Sequence, residues 1–111
     1  MIHLIRTKAT PQQIAEMLEE HLDLIKTAVD IRRGVLAGGG NAHGDCEEVL
    51  LNDGSQQQDV WGASWFPDLS HVILESLINI RPRQNNRRML IENVVIGNQV
   101  TEIIKRLLEE G

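Results

Sequence analysis

The sequence predicts an α+β fold, a single mostly antiparallel sheet of about four strands with helices packed on one face, in the order β-α-β-(α)-β-β-α. Three observations predict it. Thr10, Pro11 and Gln13 spell a helix start before an amphipathic stretch. The runs QQDVWGASWF (57–66) and HVILESLINI (71–80) flank a short connection suited to a hairpin. A last apolar stripe recurs at helical spacing from Ile96.

Each element follows from local pattern. IHLI (2–5) reads as a short opening strand. The first helix carries Ile14, Met17, Leu18, Leu22, Ile25, Ala28 and Val29 at helical spacing and is expected to run to about Lys26. From Ala28 to Ala37 the pattern turns to alternation, so a strand is expected there. DCEEVLLNDG suits a short helix with Asp45 near its N-cap and a stop at 52–54, with a strand at Val49–Leu51 as the rival. In the hairpin, pairing Phe66 with His71 sets Trp65 opposite Val72, Ala63 opposite Leu74, Trp61 opposite Ser76 and Asp59 opposite Ile78. Both tryptophans then face the core. Gln58, Ser64, Glu75, Asn79 and Arg81 take the other face, interrupted by Val60, Ile73 and Leu77. Asn93 caps the last helix, whose stripe is Ile96, Val100, Ile103, Ile104, Leu107 and Leu108.

Composition bounds the function. A chain of 111 residues with 41% apolar content can bury one core, so residues 1–111 are expected to form a single domain. A net charge of −5 disfavours a general nucleic-acid or membrane-surface binder, since both gain affinity from many phosphate contacts. No stretch has the length of a membrane span or a secretory signal, and the one cysteine, Cys46, excludes an internal disulfide; a cytoplasmic protein is expected.

AGGGNAHGDCEE (37–48) invites a phosphate-loop reading, because Gly39 and Gly44 have the right separation. Lysine and a hydroxyl residue should follow. Asp45 and Cys46 stand there instead, so a carboxylate occupies the cation's place and a flexible connector explains the glycines. The dinucleotide fingerprint fails at His43, which sits where a third glycine belongs. His43 and Asp45 are metal-ligating types, but their spacing matches no standard site, and Asp45, Glu47 and Glu48 equally suit a helix first turn. No cofactor is implied. Cys46 would need a nearby base and a lowered pKa to act as a nucleophile.

Arg81, Arg83, Arg87 and Arg88 place +4 in eight residues without an acid, leaving −9 on the rest of the −5 chain. Guanidinium groups pair with phosphate or carboxylate through two-pronged contacts, so this segment is the candidate anion clamp, with Asn79 and Glu75 beside it. The bland alternative is internal pairing, of Arg81 with Glu75 and of Arg87 and Arg88 with acids elsewhere.

VDIRRGVLAGGGNAHGD, GSQQQDVWG, SLINIRP and NNRR, within residues 29–88, resemble an uncharacterised bacterial family of small domains of unknown function. His43, Asp45, Ser55, Gln57, Asp59, Trp61, Gly62, Asn79, Arg81, Pro82, Asn86 and Arg87 resemble its motif positions, while Asn85 and Arg88 depart from its N-R segment. The resemblance implies no activity and carries over no catalytic residue.

Three functional classes are therefore expected to compete. The leading one is a binding or interaction module that holds a small anionic ligand or an acidic protein segment through Arg81, Arg83, Arg87, Arg88, Asn79 and Glu75. The second is a metal-dependent or carboxylate-assisted hydrolase of a phosphoester-like bond that joins His43, Asp45 and Glu75 to the arginines. The third is a structural homodimer through the sheet edges and Val60, Leu77 and Ile73.

Overall fold

The structure, a computed structural model, describes residues 1–110. Its elements are β1 (His3–Ile5), α1 (Pro11–Met17), β2 (Ile25–Asp30), β3 (Val35–Gly38), α2 (His43–Asn52), β4 (Val60–Phe66), β5 (His71–Ile73) and α3 (Val94–Leu108), with single 3-10 turns at Gln57–Asp59, Pro67–Leu69, Leu77–Asn79 and Pro82–Gln84. The strands form one five-stranded sheet in the order β1-β3-β2-β4-β5, antiparallel at every pairing. This is the α+β antiparallel architecture expected, with one more strand.

The extra strand comes from the region where two periodicities overlap. α1 starts as read: Thr10 Oγ1 accepts the Gln13 N–H at 3.1 Å and Gln13 Oε1 accepts the Thr10 N–H at 2.9 Å. It stops at Met17 rather than near Lys26, because Leu22 adopts a left-handed conformation (φ 60°) and the β-branched Ile25-Lys26-Thr27-Ala28-Val29 run enters the sheet. The single strand expected over 28–37 is a hairpin. Buried Asp30 accepts the N–H groups of Arg32 (2.9 Å) and Arg33 (3.0 Å), and Gly34 at φ 69° returns the chain into β3.

The sheet has two apolar faces. Ile25, Val29, Leu36, Trp61, Ala63 and Trp65 pack against Ile14 and Met17 of α1 and against Val100, Ile104, Leu107 and Leu108 of α3. Both tryptophans are 1% exposed, so the inward orientation expected of them holds. Each such large side chain contributes about 1.5–3 kcal/mol when fully buried. On the other face Ala28, Val35, Ala37 and Val60 pack beneath Cys46 and Leu50 of α2. Helix α2 therefore departs from the one-sided packing expected: the second face is apolar at its centre, and its residues would be wet without a cover.

The hairpin register holds for Phe66↔His71 and Trp65↔Val72 and extends to Ser64↔Ile73. Beyond Ile73 the pairs expected for Ala63, Trp61 and Asp59 do not form. Instead the chain crosses Gly62 so closely that a Cβ there would lie 2.6 Å from Ser76 Cβ. Residues 74–76 pair with 89–91, through the Glu75↔Leu90 bridge and the Ser76 N–H to Met89 O bond of 3.1 Å.

The glycine loop is a packing device. Gly39 has φ 102°, and a Cβ on it would meet Met1 O at 2.2 Å and Met17 Cα at 2.9 Å. The start of the chain and the end of α1 lie directly on it.

Candidate functional site

The half-polar edge of the sheet resolves into two clusters with different fates. The first is closed. Where β5 leaves β4, the side chain of Asn79, fully buried, takes over the missing strand: its Oδ1 accepts the Gly62 N–H at 2.8 Å and its Nδ2 donates to Gly62 O at 2.9 Å and Met89 O at 3.0 Å. Arg81 completes the edge by donating to Ile78 O (2.9 Å), Gln57 O (2.7 Å) and Val60 O. Its guanidinium also lies 4.8 Å from the Trp61 ring centroid and 3.3 Å from Glu47 of α2. Asn86, 2% exposed, donates to Asn79 O, Arg88 O and Leu90 O and accepts the Glu92 N–H at 2.8 Å.

Burial outweighs attraction in the Arg81–Glu47 pair. It pushes the Glu47 carboxyl up and the Arg81 guanidinium down from their ordinary values, and the partner's charge offsets this only in part. Such a pair holds geometry more than it adds stability.

The remaining arginines of the segment are exposed. Arg88 pairs with Glu92 at 3.2 Å, while Arg83 and Arg87 make no ion pair among the described residues. Arg81 is thus engaged with Glu47 rather than Glu75, and together with Arg83, Gln57, Ile80, Pro82 and Gln84 it lines a further pocket of about 450 Å³.

The second cluster is open. A pocket of about 460 Å³ lies between the start of α2 and the crossing segment, lined by Lys26, Ala42, His43, Gly44, Glu75, Ser76, Leu77, Ile78 and Met89. Lys26 points there from β2, the middle strand, and is half-buried. Among the described residues no carboxylate lies within ion-pair distance of its ammonium. His43 Nε2 lies 3.1 Å from Ser64 Oγ. Burial, and then the Lys26 charge, pushes the His43 ring down to about 4, so it is neutral at physiological pH.

His43 and Glu75 therefore line one pocket, as the hydrolase alternative requires, but two of its other members are elsewhere. Asp45 caps its own helix, accepting the Ala42 N–H at 3.2 Å, and Arg81 is not part of the lining. Among the described residues no group of three or more His, Cys, Asp or Glu is arranged to hold a metal ion. Cys46 is buried, its thiol pushed up to about 11 by burial, so it is not an activated nucleophile. His21 lies past the end of α1, with a ring nitrogen 2.9 Å from Asn41 O.

A family described as protein of unknown function, DUF5674, matches residues 3–107. The chain belongs to it. No curated protein and no solved structure matches the chain. In this DUF5674 member the segments that carried the resemblance are mostly framework. Ser55 Oγ and Asp53 receive Arg33 (2.7 and 2.6 Å), Asp59 receives Arg32 (3.1 Å), Gln57 O receives Arg81, and Trp61 and Gly62 support the crossing.

Sequence reasoning missed Lys26 because it was assigned to the end of a helix, where a lysine is an ordinary solvated residue. Its one readable signal was a lone charge between Ile25 and Thr27 in a β-branched run. Ser76, 5% exposed, was missed because the expected pairing set it opposite Trp61.

No helix among the described residues is long and apolar enough to cross a membrane.

Proposed function

We propose that this domain binds a small amphipathic anion, a carboxylate or phosphate with an apolar body, in the pocket between α2 and the Glu75–Ile78 segment. The observation that carries the reading is Lys26, a half-buried cation without a carboxylate within ion-pair distance among the described residues, in a pocket whose lining also includes His43, Ser76 and Glu75 beside the apolar Leu77, Ile78 and Met89. Removing an ammonium from water without pairing it costs free energy, and a ligand anion would offset that cost. Leu77 and Met89, which are 74% and 45% exposed, supply the surface an apolar body would cover.

The state of His43 favours binding over hydrolysis. A general base works best with a pKa near the operating pH, and a ring held at about 4 is a poor proton acceptor at pH 7. A neutral imidazole can still hydrogen-bond a ligand without adding charge, which supports reversible binding. The acid-binding role expected of the arginine segment passes to Lys26, with Glu75 kept at the pocket wall.

Octanoate, octyl phosphate and the neutral octanol are suitable probes in a thermal-shift series. At a hundredfold excess over its dissociation constant a bound probe stabilises the fold by about 2.7 kcal/mol, a rise in Tm of roughly 10 °C. The expected result is a rise with one or both anions, little with octanol, and loss of the anion effect in Lys26→Met, which keeps the apolar stem. An equal response of Lys26→Met and the wild type, or no response of the wild type to either anion, would overturn the reading.

A further inference from the structure

We propose that the ligand of the Lys26 pocket is an apolar amino acid, whose carboxylate meets Lys26 and whose ammonium meets Glu75. This rests on the reading of that pocket as an anion site and accounts for the one lining residue that a plain anion would leave opposed. Lys26 and Glu75 line the same pocket of about 460 Å³. Among the described residues neither lies within ion-pair distance of the other or of any other opposite charge.

The two charges come from different parts of the fold. Lys26 is half-buried on β2, the middle strand, while Glu75 is exposed on the crossing segment, where the bridge to Leu90 holds its backbone. The pocket is at the small end of ligand sites, so one small molecule can reach both. A bare carboxylate or phosphate held by Lys26 would share this space with a second negative charge, and its entry displaces the water that screens them. An ammonium on the same ligand turns that repulsion into attraction. A simple amine would reverse the problem and face Lys26 with its own sign.

The rest of the lining adds no net charge. His43 is neutral at physiological pH, and Ser76 Oγ accepts the Ile78 N–H at 3.2 Å, so Lys26 and Glu75 leave the lining at zero. A zwitterion is the charge complement of such a wall. Leu77, Ile78 and Met89 complete it with apolar surface, which calls for hydrocarbon in the body of the ligand. Glu75 is thus the residue that selects an amino acid over a plain carboxylate, while Lys26 holds the group they share.

Calorimetric titration of the wild type, Glu75→Gln and Lys26→Met with octanoate and with its α-amino and ω-amino derivatives tests this. In the wild type at least one amino derivative should bind about fivefold tighter than octanoate, the upper range for an exposed ion pair. Glu75 is exposed and unpaired, so Glu75→Gln should keep the circular-dichroism spectrum and hold octanoate at least as tightly, yet bring that derivative to within about twofold of octanoate. Lys26→Met should weaken all three. If octanoate binding depends on Lys26 but neither derivative gains over it, or the gain survives Glu75→Gln, the amino-acid assignment is overturned while the anion site stands. If no ligand depends on Lys26, the anion reading fails and the assignment with it.

Discussion

Arg81 and Lys26 are both half-buried cations beside α2, yet their surroundings are opposite. Arg81 donates to three backbone carbonyls, lies over Trp61 and pairs with Glu47, so its hydrogen-bonding capacity is spent inside the molecule. Lys26 has no such partners and faces a cavity. The difference teaches that a polar residue in a dense stretch of charge can be framework, while a residue the fold leaves unsatisfied is the candidate for a ligand. Satisfied buried polar groups specify a geometry; an unsatisfied one invites a partner.

The largest effect should come from breaking the closed side. Asn79→Ala leaves the Gly62 N–H, Gly62 C=O and Met89 C=O without their amide partner in a buried site, so a loss of about 3–5 kcal/mol is expected in urea denaturation. A loss below about 1 kcal/mol would show that the amide does not replace the missing strand. Next comes Gly62→Ala, whose methyl group would have to displace Ser76 and Ile78, the latter at 2.8 Å. Overpacking of this kind costs about 1–3 kcal/mol, and a neutral substitution would mean the crossing segment gives way freely.

On the open side the expected effect is a pH dependence. His43 takes a proton near 6.5 when unfolded and near 4 when folded, so between these values the unfolded chain binds more protons and acid favours unfolding. The stability carried by the neutral ring is complete above pH 6.5 and is lost as pH falls towards 4. After screening by the solvent that reaches the ring, the loss should be about 1–2 kcal/mol. His43→Gln should flatten this part of the stability profile relative to the wild type; parallel profiles would contradict the burial of the ring. The smallest effect belongs to Arg83→Ala and Arg87→Ala, each exposed and without an ion pair, with changes within about 0.5 kcal/mol.

The fold was legible where one local signal acted alone. The Thr10–Gln13 capping box, the α3 stripe behind Asn93 and the Phe66↔His71 register could be read directly, because each depends on residues a few positions apart. The stretch from Leu18 to Val35 fits helical and alternating spacing at once. There the decision was made by a left-handed Leu22 and by the Asp30 turn, whose signal, an aspartate four residues before Gly34, is short and easily lost within an apolar pattern. The site was less legible for a different reason. Whether Asn79 or Lys26 is satisfied depends on β5 ending at Ile73 and on the chain crossing Gly62, and both are tertiary events. Charge density pointed to the arginines; partner geometry points to Lys26.

The most direct test sets the two regions against each other in one titration. Octanoate and octyl phosphate are added to the wild type, to Lys26→Met and to the Arg83→Ala/Arg87→Ala double variant, with heat of binding as the readout. Binding of at least one anion should be lost in Lys26→Met and retained in the arginine variant. Loss in the arginine variant with retention in Lys26→Met would contradict the account and return the anion site to the arginine segment.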